Sequence, residues 1–171
     1  WLFFTQERFD LLYPSYGDTY PTFMGAIGMT YEQAGHGRAG LGIDTDEGYE
    51  LTLKDRIEHH FTTGISTLEI AARNKDRLVQ EFEGFFNDHS SDTKAYALKG
   101  HPDKLKRLAA LLDRHQIRYG ESTSGNIRGY HYQSGKQASL SAAGSSLIVP
   151  LDQPKGRMVE VLFEPDTELV D

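Results

Sequence analysis

Apolar positions along this chain fall into two textures, and each predicts a different kind of element. The longer one follows Thr52 and Asp55, where Ile57, Phe61, Ile65, Leu68, Ala72, Val79, Phe82 and Phe86 recur at spacings of three, four and seven. One apolar stripe at that period marks a helix with a single buried side, here about eight turns long. Thr52 stands three residues before Asp55, an arrangement that starts helices, and Gly64 is the expected bend. A helix of this length without a helical neighbour in sequence is expected to lie against a sheet.

The second texture is shorter and denser, and it predicts strands. Residues 25–33, Gly-Ala-Ile-Gly-Met-Thr-Tyr-Glu-Gln, read as a strand that delivers a carboxylate, Glu32, to a glycine-rich loop over 34–42. Residues 50–53 read as a short extended piece after the acidic turn at 44–49. Further strands are expected at 94–98, 117–119, 127–132 and 146–150. His101-Pro-Asp103 opens a second helix whose buried face is Leu105, Leu108, Leu111 and Leu112 and whose end lies near His115. A right-handed crossover through that helix would make the strands at 94–98 and 117–119 parallel. Residues 135–144 read as a turn region, and 158–163 as an apolar segment of unassigned type.

Breaks in the pattern set the organisation. Residues 13–21, Tyr-Pro-Ser-Tyr-Gly-Asp-Thr-Tyr-Pro, hold three tyrosines in a loop that two prolines and a glycine keep from being a helix. Residues 87–92 are polar and turn-favouring, and they separate a first unit, 1–86, from a second, 92–171. The fold class expected is α/β: a partial mixed sheet with a long helix, followed by a small α/β subdomain. Hydrophobic content of 38% and charged content of 25% agree with a packed core.

Charge narrows the partners. The net charge of -7 lies wholly in the first half, where residues 1–85 hold 14 acidic against 7 basic side chains and residues 86–171 hold 11 against 11. Nucleic acid is not an expected partner, because it requires a basic face. There is no cysteine, so disulfides and Cys-held zinc are unavailable. No apolar run approaches the roughly 20 residues of a membrane span. The apolar start, Trp1-Leu-Phe-Phe4, lacks the charged flank of a signal peptide. It reads as cut from something longer and in need of a partner surface, with self-association an expected consequence.

Candidate chemistry gathers around Glu32. A carboxylate at the carboxyl end of a strand is where open α/β sheets carry their sites; it is equally the first solvated residue after a strand, and the pattern alone leaves both readings open. The tyrosine loop offers Tyr13, Tyr16 and Tyr20, and the glycine loop offers Arg38 and His36. Seven histidines invite a metal, but none forms H-x-x-x-H or H-x-x-E, and adjacent His59 and His60 point about 100° apart on a helix. Neither G-x-S-x-G nor a phosphate-cradling glycine motif is present.

Tyr13-Pro-Ser-Tyr-Gly17, then Gly25 through Gln33, then the long helix, resembles the C-terminal third of bacterial zinc carboxypeptidases of the carboxypeptidase A type. The likeness covers roughly residues 3–85, and 25–33 is its specific part. It implies a metallocarboxypeptidase, a hydrolase of C-terminal peptide bonds, with Glu32 as general base. Tyr13, or Tyr16 in its place, would close over the substrate, and Tyr20 would fall at the base of the pocket for its C-terminal side chain; the family's carboxylate-binding arginines lie upstream, and Arg38 is this chain's own candidate substrate contact. Family zinc is held by two histidines and a glutamate from an upstream H-x-x-E and a later His, and neither precedes Glu32 here. The resemblance therefore implies a fragment: zinc in the full-length protein and none on this piece, a peptide substrate, the upstream part of the domain as partner, and a secreted or periplasmic location. Residues 92–171 resemble the extension that follows the peptidase domain in that branch. The alternative reading is a non-catalytic module that binds a peptide or glycan through its tyrosine and glycine loops.

Overall fold

The computed structural model describes residues 14–32, 41–87, 89–122, 125–142 and 146–166. Along the chain these form α1 (Thr19–Phe23), β1 (Gly42–Asp44), β2 (Glu50–Thr52), α2 (Leu53–Arg73), α3 (Lys75–Asn87), β3 (Ala95–Lys99), α4 (Pro102–Arg114), β4 (Gly120–Ser122), β5 (Asn126–His131), β6 (Lys136–Ser141), β7 (Ser146–Pro150) and α5 (Gly156–Phe163). The fold is mixed α/β on small sheets: a β1–β2 hairpin, a β5–β6 hairpin and a three-stranded sheet in the order β3-β7-β4. Every pairing among the described residues is antiparallel.

β7 organises the core. Leu147 and Val149 are buried, and the strand takes neighbours on both edges, β3 in the register Tyr96↔Val149 and β4 in the register Glu121↔Leu147. A strand this apolar is stable only where both edges and both faces are covered. β3 and β4 consequently run in the same direction, as a crossover through α4 predicts, but β7 lies between them and they are not hydrogen-bonded to each other. The strand expected at 117–119 begins instead at Gly120. α5 completes the layer, and Leu112, Ile117, Val149, Leu151, Met158 and Val159 form one buried cluster. Tyr20 and Phe23 of α1 pack against it. Tyr96 stacks on Phe163 at 5.4 Å between ring centroids. Burial first, then the neighbouring Tyr132, Glu160 and Glu164, push its hydroxyl up to about 12.

Local chemistry explains the ends of α4. His101 is the N-cap, its Nδ1 accepting from the Asp103 backbone N–H at 3.3 Å, and Pro102 occupies the first helical position. At the other end Gln116 adopts φ 57, the left-handed conformation. Its N–H donates to the Asp113 carbonyl at 3.0 Å, and the Ile117 N–H donates to the Leu112 carbonyl at 2.9 Å. These are the two bonds of a Schellman closure, with Ile117 and Leu112 as its apolar contact. A glycine is the usual occupant, because a side chain there costs roughly 1–2 kcal/mol. Gln116→Gly is therefore expected to raise the unfolding free energy by about 1 kcal/mol, read from the shift of a urea midpoint at unchanged slope.

α2 begins where the sequence places it. The Thr52 hydroxyl accepts from the Asp55 N–H at 3.2 Å, and Asp55 Oδ2 accepts from the Thr52 N–H at 2.9 Å, closing a capping box. The long helix is broken, however, at Asn74 rather than bent at Gly64. Asn74 Nδ2 donates to the Ile70 carbonyl at 2.8 Å, a side-chain bond that competes with the helical ladder. Gly64 meets nothing within 4 Å and simply continues the helix.

The apolar stripe also faces the other way from expectation. Ile57 is 59% exposed, Phe61 69% and Leu68 67%, while the half-buried side of α2 carries Arg56, His59, Thr63, Thr67 and Ala71. Thr63 and Thr67 satisfy their hydroxyls on the carbonyls one turn back, at 2.7 and 2.8 Å. No sheet lies under the apolar stripe among the described residues. Two further expectations are corrected. Residues 25–32 form no strand, and the turn region at 135–144 contains β6, which pairs with β5 around a four-residue turn closed by Gly135 at φ 61.

Candidate functional site

The segment that carries Glu32 is held by the tyrosine loop instead of by a neighbouring strand. α1 is a single short turn of helix over Thr19–Phe23, and the Tyr20 N–H donates to the Tyr16 carbonyl at 3.0 Å. Asp18 sits at the N-cap but makes no side-chain cap bond. Its carboxylate turns away to accept from Thr30 Oγ1 at 2.7 Å. The Asp18 carbonyl accepts from Thr22 Oγ1 at 3.0 Å, and Thr22 Oγ1 in turn accepts from the Gly28 N–H at 3.2 Å. The Ala26 N–H donates to the Pro21 carbonyl at 2.9 Å. Residues 26–30 thus run along the turn at 18–22, and their backbone polar groups find partners there rather than in a ladder.

Both glycines at the start of this segment have a steric purpose. Gly25 has φ 83, and a Cβ on it would lie 3.0 Å from the Phe85 ring of α3. A Cβ on Gly28 would lie 1.6 Å from the Asp18 carbonyl oxygen, an impossible separation against backbone. Gly28→Ala should therefore part residues 26–30 from the Asp18 turn and shift Glu32 with them. Deuterium uptake over 26–31 is the readout: a rise of several-fold is expected, and unchanged uptake would refute the tether.

Glu32 is exposed, and the residue before it is tied to α2. The Tyr31 hydroxyl lies 2.6 Å from Thr67 Oγ1 on α2, which anchors the end of the segment to the half-buried side of that helix. Tyr16 is 56% exposed on the loop that holds the segment. Tyr20 turns the opposite way, its hydroxyl 3.1 Å from His115 Nδ1 at the end of α4. The loop therefore splits its tyrosines: Tyr16 faces solvent, and Tyr20 ties α1 to the core. Tyr13, His36 and Arg38 lie outside the described residues, as does Gln33.

Asp18, Thr30 and Thr67, which set this geometry, carry no periodic signal in the sequence. Asp18 is the one a turn analysis could find, as a short polar residue ahead of a helical turn. Its pKa lies below the usual aspartate range, chiefly through the Thr30 hydroxyl and then its own backbone N–H. A depressed carboxylate contributes its stabilisation above the ordinary range and loses it as pH falls through the lowered value. An NMR titration should place the Asp18 midpoint below that of a free aspartate, and Thr30→Ala should raise it.

Among the described residues no group of three or more His, Asp and Glu is placed to hold a metal ion. A separate cleft of about 300 Å³ lies between the end of α3 and the turn after β7, lined by Asn87, His89, Arg118 and Asp152 among others. Structural bonds brace its wall: buried Gln153 accepts from the Arg118 N–H at 2.7 Å and donates to the Arg118 carbonyl at 3.0 Å, while Arg118 Nη2 donates to the Asp152 carbonyl at 3.0 Å. No helix among the described residues is long and apolar enough to cross a membrane. No family model, curated protein or solved structure matches the chain.

Proposed function

We propose that this chain is the C-terminal part of a zinc metallocarboxypeptidase in which Glu32 is the general base. The observation that carries the reading is the double anchorage of the Glu32 segment, through Thr30 to Asp18 and through Tyr31 to Thr67. It ties down the two residues that precede an exposed carboxylate and leaves that carboxylate uncovered. A general base needs that combination, because the proton it takes belongs to a water on an accessible substrate. Glu32 would accept that proton as the water attacks the scissile carbonyl and return it to the departing amine. Tyr13, on the same loop as Tyr16, would donate to the carbonyl oxygen as charge develops there, with Tyr16 as its substitute and Tyr20 and Arg38 as substrate contacts. The zinc of the parent enzyme would be held by residues outside those described.

The outward apolar stripe of α2 supports the same reading. Ile57, Phe61, Ile65 and Leu68 form a face that water does not favour, and the upstream part of the peptidase domain would cover it. The division into 1–86 and 92–171, and a secreted or periplasmic location, belong to this proposal as well. The test is hydrolysis of C-terminally extended peptides by the longest natural protein that carries this chain, with zinc measured in the same preparation. Release of single C-terminal residues supports the proposal. Peptide or glycan binding without turnover would replace it with the binding-module reading.

A further inference from the structure

The contact that ties the Glu32 segment to α2 is shared with a sulfur. The Tyr31 hydroxyl donates to Met29 Sδ at 2.8 Å and also lies 2.6 Å from Thr67 Oγ1. Thr67 Oγ1 in turn donates to the Thr63 carbonyl at 2.8 Å. Two hydroxyl protons, those of Tyr31 and Thr67, therefore face three acceptors: the Met29 sulfur, Thr67 Oγ1 and the Thr63 carbonyl. With the threonine proton on Thr63, the link between Tyr31 and Thr67 needs the proton of the tyrosine. A thioether sulfur is a weak acceptor, so the threonine oxygen wins that proton. The anchor holds because its competitor is poor.

Exposure singles out the same sulfur-bearing residue. Of the three methionines in the chain, Met29 is 46% exposed, whereas Met158 is 2% exposed within the core cluster. Met24 is half-buried, and Lys155 Nζ donates to its Sδ at 3.7 Å. Burial keeps an oxidant away from Met158, and an ammonium on the Met24 sulfur withdraws the electrons that an oxidant would take. Met29 faces solvent beside a neutral hydroxyl, and it is the methionine most open to attack.

We propose that Met29 is a peroxide-reactive site, and that its oxidation to the sulfoxide releases the Glu32 segment from α2. A sulfur lone pair attacks one oxygen of hydrogen peroxide, and an S–O bond forms as the O–O bond breaks. The proton of the transferred oxygen leaves with the departing hydroxide as water, so sulfur is oxidised by two electrons and the peroxide is reduced by two. The product is polar where the thioether was apolar. Its oxygen is a strong acceptor on the atom that the Tyr31 hydroxyl already addresses, and it takes the tyrosine proton. Tyr31 and Thr67 are then left with two oxygens and no proton between them, and supplying one from Thr67 would strip the Thr63 carbonyl of its donor. The end of the segment parts from α2, while Thr30 keeps its bond to Asp18. This concerns the anchorage alone and stands whether or not Glu32 is a general base.

The test treats the whole chain with dilute hydrogen peroxide, follows each methionine by peptide mass, and measures deuterium uptake over 26–31 before and after. Met29 is expected to gain its oxygen about tenfold or more faster than Met158, and uptake should rise several-fold as it does so. A methionine sulfoxide reductase should reverse both changes. Met29→Leu, which keeps an apolar side chain without an oxidisable sulfur, should hold uptake low with or without peroxide. Met29→Gln, which places a strong acceptor there from the start, should raise uptake with no oxidant. Tyr31→Phe should show the raised uptake already and gain nothing further from peroxide. Oxidation of Met24 or Met158 ahead of Met29 would overturn the proposal, as would complete Met29 sulfoxide with unchanged uptake, or an equal response to peroxide in Met29→Leu.

Discussion

Glu32→Gln, in the longest natural protein that carries this chain, is expected to lower kcat for peptide hydrolysis by about 10²–10⁴-fold while KM changes little. The amide keeps the size and shape of the carboxylate but has no basic oxygen with which to take a proton. The loss should therefore fall on the chemical step. Tyr31 and Thr67 hold the segment through the preceding residue, so the substitution leaves the anchorage in place. Unaltered turnover would remove Glu32 from the mechanism, whereas a rise in KM at constant kcat would make it a binding group.

Leu112→Ala has the largest expected effect on stability. Leu112 is fully buried on α4, packs within the cluster around Val149 and Val159, and forms the inner half of the Schellman contact with Ile117. Truncation removes transfer free energy and leaves a cavity, together about 3 kcal/mol. Against the roughly 5–15 kcal/mol that typically holds a domain together, that is a large fraction. Leu111, one residue earlier and 38% exposed, supplies the internal comparison. Its truncation should cost less than about half as much, and equal costs would show that α4 is not oriented as described.

Elements whose signals are local were legible. Thr52 and Asp55 mark the start of α2 because a capping box is written in two side chains, and His101-Pro102 marks the start of α4 for a similar reason. β7 was legible because its apolar residues suit a strand with neighbours on both edges. The misreadings involve partners at a distance. Residues 25–33 have the composition of a strand, but strand formation requires a neighbour, and the described part of the segment finds Asp18 and Thr22 instead. The face that α2 buries was not legible either, since periodicity locates a stripe without saying what lies against it. β6, with Gln137, Ser139 and Ser141, is too polar to announce itself and exists because β5 offers it a ladder. At the candidate site, Glu32 and the tyrosine loop were visible in the sequence. The opposite fates of Tyr16 and Tyr20 were not, because they follow from His115, 95 positions beyond Tyr20.

The central place of β7 has a consequence for biosynthesis. β3 and β4 flank it, so the sheet has no ladder at all until Ser146–Pro150 has been made. A nascent chain that stops short of Ser146 holds two strands that have lost their shared partner, together with an α4 that lacks the Val149, Met158 and Val159 part of its cover. The sheet therefore closes late in synthesis, and its last strand acts as the lock.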